Sequence, residues 1–120
     1  MHLSKKKIDT ALIHGVALAP WIFSITILIF YFHAAILQER PPTYANPDPK
    51  DLFIYNFYGW IINPFLITTF VTFFIWPIIF IMHVSTSSLY KWKKTLLLHI
   101  TGHALSFIIF LSPIFDWYID

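Results

Sequence analysis

No Asp, Glu, Lys or Arg occurs in three stretches of this chain, residues 11–37, 60–84 and 95–115. Each stretch is at least as long as the ~20 apolar residues that cross a ~30 Å hydrocarbon core at 1.5 Å per residue. A helix satisfies all of its backbone polar groups internally, so runs of this kind in lipid fold as helices. The expected class is an all-α integral membrane protein with three transmembrane helices, forming a single domain over residues 1–120. Composition agrees, because only 12% of residues are charged, about half the share in a soluble domain. The first run is far longer than the 7–15 residues of a signal-peptide core, so it reads as a retained helix. The chain has no cysteine. That excludes disulfides, iron–sulfur ligation and thiol chemistry.

The charges outside the runs set an orientation. Lys5, Lys6, Lys7, Lys91, Lys93 and Lys94 lie before the first run or between the second and third. Only Arg40 and Lys50 lie in the other connector, and none follows the third run. The split is six against two, over connectors short enough for the positive-inside rule. The amino terminus is therefore expected in the cytoplasm and the carboxyl terminus outside. The address is a bacterial inner, or cytoplasmic, membrane crossed several times.

Within the first run, Ala11, Gly15 and Ala19 recur at four-residue spacing. Such a stripe lets another helix approach closely, so these three are the candidate packing positions. The connector at 38–56 holds four of the eight prolines. Proline fixes its own φ and biases the residue before it to extended conformations. This external loop should be stiff. Tyr44, Asn46, Asp48 and Asp51 are its candidate partner-binding residues. Asn46, Asp48, Asp51 and Glu39 also carry oxygens of the kind calcium takes, although the central glycine of a calcium loop is missing. The string Pro42-Thr43-Tyr44-Ala45-Asn46-Pro47-Asp48-Pro49-Lys50 resembles a P-[ST]-Y-x-N-P-D-P-K loop of uncharacterised small multi-spanning inner-membrane proteins of Bacteroidetes-type bacteria. The resemblance implies a bacterial inner-membrane address. It brings no activity and no residue role.

Five of the six histidines lie within or beside the apolar runs. By topology His14, His83, His99 and His103 fall in one leaflet and His33 in the other. His99 and His103 are spaced i, i+4, which puts them on one helix face with Thr95, Gly102 and Ser106. Lipid offers polar groups no partner, so this face should turn inward. His14, His99 and His103 are the candidate cofactor-binding residues. Imidazoles from two helices can ligate haem, and an i, i+4 pair with a third ligand can hold a transition metal. Proton or quinone handling is another use. The structural alternative is hydrogen bonding to Ser, Thr or carbonyl groups across helices.

The leading functional expectation is a small accessory or structural subunit of a membrane protein assembly, acting through helix–helix and loop contacts. A histidine-ligated haem or metal site in electron transfer is the enzyme-class alternative. An immunity-type protein against a membrane-active toxin is the third. Expected partners are the lipid bilayer and other membrane subunits or further copies of the chain, not nucleic acid.

Overall fold

The computed structural model describes residues 2–44, 46–86 and 89–120, with the side chains of 2–10, 83, 84, 86 and 89–92 outside that description. Four helices follow one another: α1 (His2–Gln38), α2 (Tyr55–Thr86), α3 (Leu89–Phe110) and α4 (Pro113–Ile119). No strand joins them among the described residues.

α1 and α2 are long and apolar enough to cross a membrane, over Ala11–Gln38 and Tyr55–Met82. The run at 95–115 is not one straight helix. α3 stops at Phe110, and α4 leaves at 72° to it. Taken together, this bent pair is long and apolar enough for a third span. The break has a local cause. Pro113 has no N–H and disfavours helical backbone at Ser112. Ser112 is extended, with φ −99° and ψ 154°. Its main-chain N–H and its hydroxyl both turn back onto the carbonyl of Ile109, at 2.9 and 2.7 Å.

α1 lies between the other two long helices. It packs along both, whereas α2 and α3 touch each other much less. Its buried residues therefore occupy more than one stripe: Ile13, Ala17, Pro20, Ser24 and Ile27 along one, Ala19, Phe23, Phe30 and Ala34 along another. α1 continues through Pro20, as α2 does through Pro64 and Pro77. Thr68 and Thr69 donate to carbonyls one turn back, Pro64 O at 2.8 Å and Phe65 O at 2.6 Å. That satisfies hydroxyls which lipid would leave unpaired.

At Gly102 α3 comes close against α1. A Cβ there would stand 2.7 Å from Trp21 Cδ1 and 2.9 Å from Pro20 Cγ. Only a residue with no side chain fits. Around it, Trp21 Nε1 donates to Leu98 O at 2.8 Å, Ser106 Oγ donates to Pro20 O at 3.1 Å, and Ser24 and Ser106 share a hydrogen bond of 3.0 Å. The expected stripe is placed differently. Ala19 is buried, but Ala11 and Gly15 are exposed. Gly15 has nothing within 4 Å of where a Cβ would stand. Sequence spacing defines a face, but not which partner residue opposes it.

The loop is folded throughout its described length. α1 ends in a Schellman pair, Arg40 N–H to Ala35 O at 3.1 Å and Glu39 N–H to Ile36 O at 3.3 Å. Glu39 takes the left-handed position with φ 54°. Thr43 and Asn46 form an isolated bridge, and the Asn46–Pro47 peptide is cis. Asp48 caps a single 3₁₀ turn, Pro49–Asp51, by accepting from Lys50 N at 2.8 Å. α4 then folds over this end of the bundle. Trp117 and Tyr118 are buried against Phe30, whose ring also meets Tyr55 and Tyr58, at centroid distances of 4.9 to 6.2 Å. Trp117 Nε1 donates to Pro47 O at 2.8 Å, and Tyr118 OH donates to Asn63 Oδ1 at 2.6 Å.

Candidate functional site

Because α2 and α3 both lean on α1, a cleft of about 330 Å³ remains between them. Phe70, Phe73, Phe74, Phe107 and Phe110 form much of its wall, and Phe115 of α4 also lines it. Phe70 and Phe110 stack across it at 5.0 Å. The polar residues on its surface are Thr69, His103 and Ser106.

Beyond His103 the α2–α3 seam is closed by rings. Phe73, Trp76 and Phe80 come from one side of α2, and His99 and His103 from one side of α3. The spacings, i, i+3, i+7 and i, i+4, each return to the same helix face. The rings form a ladder: Phe80 on Trp76 at 4.8 Å, Trp76 on His99 at 3.8 Å and 13°, His99 on His103 at 4.1 Å, and His103 on Phe73 at 5.7 Å. His99 is 5% exposed and Trp76 2%.

The hydrogen bonding of this ladder is incomplete. Among the described residues, Trp76 Nε1 and His99 Nδ1 are buried without a partner. Both nitrogens of His103 face main-chain carbonyls, Nδ1 at 3.0 Å from His99 O and Nε2 at 3.2 Å from Thr69 O. A carbonyl only accepts, so each contact is a hydrogen bond only while the facing nitrogen carries a proton. A neutral imidazole carries one, so one of the two contacts is left as acceptor against acceptor.

No protein-family model, curated protein or solved structure matches the chain.

Of the candidate cofactor residues, the structure brings together His99 and His103. His14 is on an exposed part of α1, and its Nε2 shares a 3.1 Å hydrogen bond with Thr95 Oγ1, one turn before His99. Among the described residues no three of His, Asp and Glu are grouped so that they could hold a metal ion. The three histidines therefore do not share one metal position. The side chain of His83 lies outside the described residues. His33 belongs to the loop end, where its Nδ1 and Tyr58 OH are 2.9 Å apart.

In the loop, Asn46 and Asp48 spend their side chains internally. Asn46 Oδ1 accepts from Arg40 Nη2 at 2.8 Å, and Asp48 caps the turn. Tyr44, Asn46 and Asp51 are exposed, and Asp48 is half-buried. The Tyr44 hydroxyl titrates above the ordinary tyrosine value because of its hydrogen bond to Asp120 and the negative charge there. Lys50 Nζ donates to the main-chain oxygen of Asp120 at 2.6 Å. Loop and α4 are thus tied together at the surface as well as in the core.

Sequence reading did not single out Trp76 as the partner of His99. The signal was its place three residues after Phe73 and four before Phe80, which aligns three rings on one face.

Proposed function

We propose that this protein is a small accessory or structural subunit of a bacterial inner-membrane assembly, acting through helix–helix and loop contacts. The chain crosses the membrane three times, the bent α3–α4 pair forming the third crossing. Its amino terminus is cytoplasmic and its carboxyl terminus external. The six-to-two lysine and arginine split supports that orientation. The resemblance of the 42–50 loop to small bacterial membrane proteins supports the address.

One observation carries the subunit reading. α1 packs against both other long helices, while α2 turns a continuous row outward: Trp60, Ile67, Phe74, Ile78 and Ile81 are all more than 60% exposed. At the head of that row the rigid loop presents Tyr44 and Phe53, 73% and 83% exposed. A stiff loop costs little ordering entropy when it docks.

Site-specific photo-crosslinking tests the proposal. A photoreactive phenylalanine at Phe74 and another at Tyr44 should each yield a discrete adduct in native membranes. Only lipid adducts from both positions would overturn the subunit reading. Topology is tested separately, with cysteines at Ser4 and Thr43 and an impermeant thiol reagent in intact cells. Labelling at Thr43 alone is expected; labelling at Ser4 alone would invert the chain.

A further inference from the structure

We propose that His103 is a proton-operated latch across the α2–α3 seam. Charged, it holds a main-chain carbonyl on each helix at once; neutral, it holds one of them at a time.

The geometry around the ring carries the inference. Nδ1 lies 3.0 Å from His99 O on its own helix, and Nε2 lies 3.2 Å from Thr69 O on α2. Both partners are carbonyl oxygens, which only accept. No neutral tautomer satisfies both. The imidazolium, with a proton on each nitrogen, does. Hydrogen bonds from a charged donor are also roughly twice as strong as neutral ones. Phe73 favours the same form, because its ring centroid is 5.7 Å from that of His103, inside the ~6 Å over which an aromatic ring attracts a cation. Burial opposes the charge, but the His103 side chain is half-buried, not enclosed.

The other member of the i, i+4 pair is set up for the opposite state. His99 is enclosed, and among the described residues its Nδ1 has no partner. A second proton on His99 would find no acceptor at Nδ1, and its charge would stand 4.1 Å, ring to ring, from His103. His99 is therefore the neutral neighbour of the latch. The other elements bring no charge to it. α2 has no Asp, Glu, Lys or Arg and presents Thr69 and Phe73. α1 meets this stretch of α3 with Pro20, Trp21 and Ser24. From α4, Phe115 borders the same cleft as His103, and Asp116 is exposed. The proton thus acts through hydrogen bonds and not through a salt bridge. α2 and α3 touch each other far less than either touches α1, so a bond between them weighs heavily on the seam. When the single proton of neutral His103 sits on Nδ1, the bond to α2 is gone. The latch is closed at low pH and opens as pH rises through the titration of His103.

The test uses the full chain in phosphatidylcholine nanodiscs. The chain has no cysteine, so nitroxide labels on Ile75→Cys and Ile100→Cys, at exposed positions of α2 and α3, report the distance across the seam. Between about pH 5 and pH 8, where histidine changes charge, the share of separated helices should rise about tenfold, the worth of one charge-assisted hydrogen bond. That response should survive in His99→Phe and vanish in His103→Gln, whose amide can donate to Thr69 O without titrating. His14 and His33 remain in both variants, so their titration is common to all. A response that His103→Gln keeps, or none in the parent, would overturn the latch. Nitrogen-15 resonance of the ring reads the charge in the parent chain, without relying on any variant to assemble. The pair Gly102–His103 is the one Gly–His step in the sequence, so carbon-13 glycine with nitrogen-15 histidine assigns the residue. Two protonated ring nitrogens at the acidic end and one at the alkaline end are expected. The same charge at both ends would overturn the proposal.

Discussion

The two ends of this bundle are built from the same kinds of residue and reach opposite degrees of completion. At the loop end, α1, α2, α4 and the 39–54 connector meet around Phe30, and each indole or phenol with a described bond there has found an acceptor. Along the α2–α3 seam the contact is mainly between side-chain rings, and among the described residues an indole and an imidazole remain unpaired. Aromatic content does not separate them; the number of backbones within reach does. The loop end has irregular chain nearby, Pro42 and Pro47, whose carbonyls are free to accept from Tyr31 and Trp117. On the seam the nearby carbonyls are helical and take part in their own ladders. Trp21 Nε1 reaches such a carbonyl, Leu98 O, where α1 and α3 pack closely, but Trp76 Nε1 reaches none among the described residues.

The largest effect that would break this contrast is truncation of its hub. Phe30→Ala should cost about 3–5 kcal/mol, the usual loss for a buried aromatic, and reversible unfolding in mixed micelles would measure it. A loss below 1 kcal/mol would mean that the loop end does not hold the fold together. Next comes Gly102. Overfilling a close-packed site costs about 1–3 kcal/mol, so Gly102→Ala should lower stability by that amount, because Trp21 and Pro20 stand within 3 Å of the new carbon. Gly15→Leu should change the isolated protomer by no more than about 0.5 kcal/mol. Equal losses at the two glycines would contradict the asymmetry. Third is Glu39→Gly. A side chain in the left-handed region costs about 1 kcal/mol, so this change should raise stability by that much; a decrease would show that the carboxylate does something the backbone geometry does not reveal. The smallest effect sharpens the comparison most. His99→Phe keeps a ring on Trp76 and removes an unpaired nitrogen, and should be neutral or stabilising within about 1 kcal/mol. Tyr118→Phe, which removes a satisfied hydroxyl at the other end, should cost about 1 kcal/mol. If the two variants behaved alike, the distinction between a finished and an unfinished polar network would fail.

The long apolar helices were legible because charge is excluded from whole runs, and exclusion over ~20 residues has few other causes. The inward face of His99 and Ser106 was legible from spacing plus lipid avoidance. The break after Phe110 was not, because hydropathy averages across Leu111, Ser112 and Pro113, all compatible with a continuous apolar run. Gly102 and Gly15 are indistinguishable in sequence. Their difference lies in what the opposing helix presents, Trp21 at one and open space at the other. Asn46 and Asp48 read as candidate partner-binding residues able to bond locally, and the structure shows their side-chain bonds within the loop.

The central position of α1 carries a consequence for how the chain is made. Of the described helices, the one that every other leans on is made first, and α3, the helix that seats against Pro20, Trp21 and Ser24, is synthesised only after α2. During that interval Ser24 has acceptors within its own helix, the carbonyls three and four residues back, Trp21 O and Pro20 O. In the finished fold Pro20 O accepts from Ser106, which Ser24 also meets. Arrival of α3 therefore brings Ser24 a partner on another helix. The bundle can wait for its last long helix without leaving a hydroxyl bare in the bilayer.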